Sequence, residues 1–394
     1  MTTSIRSWRR TRTTGSLIGA VCATALLVAG CTGGDIDRDE EATPSANALV
    51  VSPDGSGDEC TAEQPCALES ALGQAIAGSI VQLLGGEYGE IDLGAVGSLE
   101  SVADSVIVEP APGAEPAIDA IRTNAPNITW RDLAVDGVIY LDDDADGTTL
   151  DAVHVQSSGL FIHASDVTVT ESLFEGGSSI DGIQFSGASN VLIENSVIRD
   201  YDQTADNDVH ADCVQIFDSS NLVLRGNYIG NCHNASIIFS PGNGDGISNV
   251  VIEANHIQGC VVKNELCGNG TLLDLREFAS DVVVRNNTMI DGSVLVEDLP
   301  GLVFDRNVID YVSNCDMPMT NTIVARWNTG LCDEPAAIGE DGNRVDEVEV
   351  MDRAAGDLRL VNPDEATIDG AGDASPAEES FDGEKLSEQQ AGAG

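Results

Sequence analysis

Ten residues carry most of the chemistry that this chain can offer. Asp206-Asn-Asp208-Val-His210-Ala-Asp212-Cys-Val-Gln215 sets a histidine among three carboxylates and ends on an amide. A histidine beside carboxylates can exchange a proton near neutral pH while one of them, Asp208 or Asp212, orients or charges it. The bland alternative is a loop end in which Asp212 caps a turn and His210 decorates the surface. A shorter version stands upstream, where Asp181-Gly-Ile-Gln184-Phe matches Asp212-Cys-Val-Gln215-Ile in type and spacing. Hydrolysis of a glycosidic bond needs two carboxyls across it, with Asp181, Asp208, Asp212 and Asp274 as candidates. Elimination from a uronic acid instead needs a base, drawn from His210, Lys263 and Arg276, with cations to neutralise the sugar carboxylate. Asp142-Asp-Asp144-Ala-Asp146-Gly fits the first six places of a calcium loop. Place twelve is Val153 rather than Glu, which excludes an EF-hand and leaves a looser Ca²⁺ turn or an acidic β-turn.

These residues must be held by something, and the chain supplies it by repetition. Ser189–Asp200 (Ser-Asn-Val-Leu-Ile-Glu-Asn-Ser-Val-Ile-Arg-Asp) is rewritten at residues 220–231, 248–259 and 280–291. Nine copies start at Asn127, Gly147, Asp166, Asn190, Asn221, Asn249, Asp281, Gly301 and Asn321, at steps of 20, 19, 24, 31, 28, 32, 20 and 20 residues. One and three places after each start is an apolar pair such as Val191/Ile193, and eight places after it runs a second apolar ladder from Val135 to Ile309. Alternation of period two means strands. Asn227, Asn255, Asn287 and Asn307 lie between the ladders, where a corner residue tolerant of left-handed backbone is expected. Short strands hinged about every 20 residues predict the coils of a parallel β-helix, ten or so in number. Long helical patterns are missing from the repeat, so a βαβ fold is excluded.

The three longest steps are consecutive, and insertions in repeat proteins gather on one face, often the binding face. The predicted trough therefore lies beside residues 200–209, 230–233, 240–248 and 259–270. In the strands that lead into it, Ile183/Phe185 and Val214/Ile216 point inward, so Gln184 and Gln215 point outward and stack. Ile238, then Asp274 or Arg276, continue that row. Outward amides suit sugar hydroxyls, and they equally suit a solvated ladder that stabilises the stack. An apolar stripe at Leu192, Val223, Val251 and Val283 is expected to lie under residues 345–373.

The chain opens with Arg6, Arg9, Arg10 and Arg12, then an apolar run to Gly30 that is too short to span a bilayer. Leu27-Val28-Ala29-Gly30-Cys31 resembles the lipobox of bacterial lipoproteins, which implies lipidation at Cys31 and residence on the outer face of the cell membrane. An ordinary secretory signal is the alternative. Removing residues 1–30 takes away four of the 18 basic residues and none of the 66 acidic ones, leaving a net charge of −52. Such a surface repels nucleic acid and anionic membrane. Residues 31–47 read as an acidic tether. The remaining eight cysteines fall into near pairs, Cys60/Cys66, Cys213/Cys232, Cys260/Cys267 and Cys315/Cys332, and in an exported chain read as four disulfides. Leu68, Ala71, Leu72, Ala75 and Ile76 have helical spacing. A helix over residues 66–78 would plug the open end of the coils, where bare strand edges invite association.

Val-Ser-Pro-Asp-Gly-Ser-Gly (51–57), Gln64-Pro65-Cys66, Ile-Val-Gln-Leu (80–83), Gly-Gly-Glu-Tyr (85–88) and Val106-Ile-Val-Glu-Pro-Ala-Pro-Gly-Ala together resemble the opening of the pectate-lyase-like superfamily. Asp357-Leu-Arg-Leu, Ala366-Thr-Ile-Asp-Gly and Phe381-Asp-Gly resemble its close, and His210-x-Asp-x-x-Gln resembles a motif seen within it. The resemblance implies an all-β, right-handed parallel β-helix over residues 48–345, a closing segment at 346–389 and a tail without order at 390–394. It also implies a polysaccharide or cell-envelope glycan as partner, for a monomer attached to the membrane only through its lipid. It does not fix the reaction, since the superfamily includes lyases, hydrolases and proteins without catalysis. The polygalacturonase signature is missing, as is a pectate-lyase arginine signature. The expected function is lyase- or hydrolase-type cleavage of a polysaccharide, and the alternative is a non-catalytic carbohydrate-binding or structural envelope lipoprotein.

Overall fold

The computed structural model describes residues 48–99, 104–203, 210–261, 270–276, 278–367, 376–387 and 389–394. The expected signal segment and tether, residues 1–47 with Cys31, lie outside the described residues. Three stacks of short parallel strands wind into a β-helix. The first face is an 11-stranded sheet that includes Ser189–Glu194, Ser220–Arg225, Ile247–Glu253 and Ala279–Arg285. The second face includes Val197–Arg199, Tyr228–Gly230 and His256–Gln258, and the third includes Ile183–Ser186, Val214–Phe217 and Ala235–Phe239. The second and third faces form one 18-stranded sheet, because strands such as Pro116–Thr123 and Thr288–Val296 run through the corner between them and pair on both sides.

All nine repeat-start residues are left-handed, with φ between 47° at Asn321 and 73° at Gly147 and Gly301. Asn, Asp and Gly are the residues that take this conformation most readily, which is why the starts are drawn from them. The second corner differs from expectation by one position. Gly226, Ala254, Asn286 and Arg306 are left-handed there, and Asn227, Asn255, Asn287 and Asn307 turn inward and are fully buried. Each of the first three donates its side-chain amide to the Oδ1 of the next, at 3.0–3.1 Å. Each of these oxygens also accepts the backbone N–H of the preceding asparagine at 2.9–3.0 Å. An interior amide spine thus satisfies backbone groups that the corner leaves without ladder partners.

The N-terminal helix is shorter than its apolar spacing predicts. It spans Leu68–Gln74 and buries Leu68, Ala71 and Leu72 in the core that holds Val51, Val81 and Leu83. Ala75 is already extended, which ends the helical period and leaves Ile76 73% exposed. Among the described residues no helix is long and apolar enough to cross a membrane.

The closing segment covers the second face instead of the stripe on the first. Val348, Val350, Leu358, Leu360, Ala366 and Ala391 form one core with Ile290, Val308 and Ile323, and Phe381 stacks on the buried His256 at 3.9 Å between centroids. Leu192, Val223, Val251 and Val283 remain half-buried. The tail expected to lack order is packed: Ala391 and Ala393 are buried, and the Ala393 N–H donates to Thr288 Oγ1 at 3.0 Å. Small side chains let this strand of backbone sit close on the helix. Cys60–Cys66, Cys213–Cys232 and Cys315–Cys332 are disulfides, with Cα–Cα distances of 4.7, 5.5 and 6.0 Å. Cys260 is also disulfide-bonded, and Cys267 lies outside the described residues.

Candidate functional site

Strand alternation turns one residue per coil away from the core along the centre of the third face, although Gln215 and Asp274 in that row are buried. In register these are Arg122, Tyr140, Phe161, Gln184, Gln215, Ile238, Asp274 and Leu295. The expected row of Gln184, Gln215, Ile238 and Asp274 is therefore present on four successive coils. Gln184 Nε2 donates to Gln215 Oε1 at 3.1 Å and to Asp181 Oδ2 at 3.2 Å, and Gln215 Nε2 donates to Ser240 Oγ at 3.0 Å.

The flank of this row holds the carboxyls. Asp212 donates its backbone N–H to Asp181 Oδ1 at 2.8 Å, and its own Oδ1 accepts from Asn234 Nδ2 at 2.8 Å. Its Oδ2 is buried with no partner among the described residues. Burial first, and then the charge of Asp181, push the Asp212 carboxyl up to about 7. Burial also raises Asp181, against the opposing pull of the Asp212 N–H, of Gln184 and of His210. His210 is exposed and within electrostatic reach of Asp181 and of His233. The Cys213–Cys232 disulfide ties the residue after Asp212 to the residue before His233, so a covalent clamp fixes both strand starts.

Several predicted residues occupy other roles. Asp212 is fully buried, so it acts on Asp181 rather than on a ligand directly. Arg276 is not a base: its Nε and Nη2 hold Asp274 at 2.9 and 2.6 Å, and that pairing raises its pKa further. The same two bonds occupy both oxygens of Asp274. The calcium turn does not assemble, because its carboxylates diverge. Asp142 binds Arg122 at 2.8 Å, Asp146 accepts the Ser165 N–H at 2.7 Å, and Asp144 makes its contact through its backbone, to Asn124. Among the described residues no group of three His, Cys, Asp or Glu stands close enough to hold a metal. Asp208 and Lys263 lie outside the described residues.

Two features escaped the sequence reading. Tyr140 and Phe161 stack at 4.8 Å between centroids with 24° between their planes, and the Arg122 guanidinium sits 5.1 Å from the Tyr140 centroid. The signal was available: Ile139-Tyr-Leu and Leu160-Phe-Ile repeat the inward–outward–inward pattern of Ile183-Gln-Phe. The second is a cavity of about 510 Å³ lined by Asp291, Ser293, Asp310, Tyr311, Arg326 and Arg353 among others. It continues the line of the Asp212 corner, since Ala235, Thr271, Ser293, Tyr311 and Arg326 follow in register. Both of its arginines are paired, Arg326 with Asp310 at 2.9 Å and Arg353 with Asp291 at 3.0 Å. Arg353 comes from the closing segment, and its arrival there has no local signature.

This is the architecture of a right-handed parallel β-helix, and residues 137–324 match the family model described as "Right handed beta helix region". Among solved structures the chain is similar to pectate lyase Pel9A, at 12% identity over 88% of this chain and 89% of that one, TM-score 0.47. It is similar to a PL6 alginate lyase in complex with a trisaccharide, at 13% identity over 86% and 94%, TM-score 0.39. It is also similar to the catalytic domain of a GH87 α-1,3-glucanase in complex with nigerose, at 12% identity over 78% and 70%, TM-score 0.37. Likeness at this level carries no information about substrate or reaction. No curated protein sequence matches the chain.

Proposed function

We propose that the third face is a polysaccharide-binding groove, and that the cluster of Asp181, Asp212 and His210 on its flank cleaves the chain bound there. The observation that carries this reading is the pair of hydrogen bonds converging on Asp181, from Gln184 at 3.2 Å and from the Asp212 N–H at 2.8 Å. They join the outward amide row to two carboxyls of raised pKa in one continuous patch. Coils stack at about 4.8 Å, close to the length of one sugar unit, so successive rows can meet successive sugars. Perturbed carboxyls beside a row of hydrogen-bonding groups are the usual mark of a functional site.

In this reading Gln184, oriented by the buried Gln215, holds a sugar hydroxyl, and the exposed His210, within electrostatic reach of Asp181, is the proton carrier. Asp212, half protonated near neutral pH, limits the negative charge that Asp181 must tolerate. A neutral glycan fits the groove better than a uronate. Arg122 and Arg276 are neutralised by Asp142 and Asp274, so neither is free to pair with a uronate carboxylate, and the overall charge of −48 repels anionic glycans. The full burial of Asp212 favours a second reading, in which the groove binds a glycan without cutting it.

Reducing-end release from a panel of neutral and uronate polysaccharides tests the choice. Cleavage by the wild type that is lost in His210→Ala and Asp181→Asn supports catalysis, binding without cleavage leaves the second reading, and neither result on any glycan ends both. We further propose, from the pattern at Leu27–Cys31, that a lipid on Cys31 holds the groove on the outer face of the membrane. Fatty-acid labelling that persists in Cys31→Ala would refute that.

A further inference from the structure

The cavity of about 510 Å³ beside the last coils takes no part in the reading above, and its wall differs from the third face. Arg122 and Arg276 each grip an aspartate through two nitrogens. Arg326 reaches Asp310 through Nη2 alone, at 2.9 Å, and Arg353 reaches Asp291 through Nη1 alone, at 3.0 Å. Most donors on these two guanidinium groups are therefore unspent, and their side chains are 61% and 46% exposed. Ser293 and Tyr311 line the same space, and their hydroxyls bond to no described residue.

The wall is held in place from behind. The buried Gln258 donates its amide to Asp291 Oδ2 at 2.8 Å and to the Arg353 carbonyl at 2.7 Å, and it accepts the Tyr228 hydroxyl at 2.7 Å. Asp310 Oδ2 accepts the Asp291 N–H at 3.2 Å. Gly356, left-handed at φ 75°, brings the closing segment so near the coil that a Cβ there would stand 2.9 Å from the Tyr228 ring. One side-chain amide thus ties the coil that carries Asp291 to the turn that carries Arg353.

We propose that this cavity binds one uncharged sugar unit, at a site separate from the third face and independent of the function read there. Two carboxylates balance the two guanidinium groups, and Glu347 is a further acid within electrostatic reach of Arg326. The wall therefore has no positive charge left over to draw an anion. What it offers is directional: unspent N–H groups, two hydroxyls and an aromatic ring around an open volume. Neighbouring hydroxyls of a pyranose can accept from the guanidinium N–H groups, and charged donors make the stronger hydrogen bonds. The same hydroxyls can donate to Ser293 and Tyr311, and the apolar C–H face of the sugar suits the Tyr311 ring. Because Gln258 orders the wall before a ligand arrives, less entropy is lost on binding.

The experiment is titration of the full chain with glucose and galactose, and with glucuronate and galacturonate, read by saturation-transfer NMR. Wild type, Arg353→Gln, Tyr311→Leu and Gln184→Leu are compared, with melting temperature as the folding control. Arg353→Gln keeps a donor and loses the charge, and it should weaken binding of the neutral sugars about 10-fold, as expected for a hydrogen bond to a charged group. Tyr311→Leu should weaken it about 2- to 10-fold, the range for an aromatic contact. Gln184→Leu, on the third face, should leave binding at the cavity intact. Binding that Arg353→Gln and Tyr311→Leu both keep in full overturns the cavity site, and its loss in Gln184→Leu alone would leave the third face as the sugar site. Tighter binding of the uronates than of the neutral sugars overturns the uncharged class. Failure of the wild type to bind any of the four overturns the cavity site and leaves the third face to its own polysaccharide assay.

Discussion

Asp212 offers a prediction that needs no substrate. Its carboxyl is fully buried and titrates near 7 instead of 3.8, chiefly through burial. In the unfolded chain it would ionise near pH 4, so between about pH 4 and pH 7 the folded protein holds a proton that the unfolded chain has released. Stability from this group is complete below about pH 4 and falls as pH rises, because ionisation favours the unfolded state. About three pKa units at 1.36 kcal/mol each amount to about 4 kcal/mol, fully lost above pH 7. Asp212→Asn removes the titration and retains an oxygen to accept from Asn234. Its amide brings a pH-independent cost of its own, and the large net charge acts alike on both proteins. The quantity to follow is thus the difference in urea-unfolding free energy between variant and wild type at half-unit steps of pH. It should move by about 4 kcal/mol in favour of the variant from pH 4 to pH 7 and stay flat beyond. A difference independent of pH would refute the buried, proton-holding carboxyl, and with it the electrostatic part of the site.

Other expectations concern the frame. Asn255→Ala deletes four side-chain hydrogen bonds in the amide spine and strands buried groups on the neighbouring coils. It should cost at least about 3 kcal/mol in denaturant unfolding, and a loss below 1 kcal/mol would mean that water replaces the asparagine. Replacing Cys213 and Cys232 together by serine opens a loop of 19 residues, which should cost about 3 kcal/mol and reduce glycan turnover more than glycan affinity. Unchanged turnover would show that the clamp does not position Asp212. Truncation after residue 345 bares Ile290, Val308, Ile323 and the stacked His256, and should produce association detectable by light scattering, whereas a soluble monomer would contradict the covering role.

What could be read in the sequence was what repeats. The nine start positions needed left-handed residues, so Asn, Asp and Gly marked them, and strand alternation then carried the outward row from Gln184 to Asp274. The same alternation, stepped back two coils, leads to Phe161 and Tyr140. There the pattern is hard to read, because an aromatic residue between two apolar ones looks like core. Asn227 and its successors stand at the expected corner, but their task there is the interior amide and not the left-handed backbone. A left-handed backbone and an interior amide both select asparagine, and one position separates them. The cover on the second face is illegible in the sequence for a different reason. Residues 346–394 do not repeat, and the docking of Val348, Leu358 and Ala391 depends on which face is left bare by distant coils. Likewise Asp142, Asp144 and Asp146 have calcium-loop spacing, but the coil directs their carboxylates to Arg122, to Ser165 and to solvent.

The central claim is that a glycan lies along the third face, across Gln184 and Gln215. A crystal structure of the Asp181→Asn variant soaked with an oligosaccharide from the binding panel tests it most directly. The account predicts sugar density along the row at the two glutamines, with His210 facing the bond between two units. Density confined to the first face, or to the cavity beside Arg326 and Arg353, would contradict it.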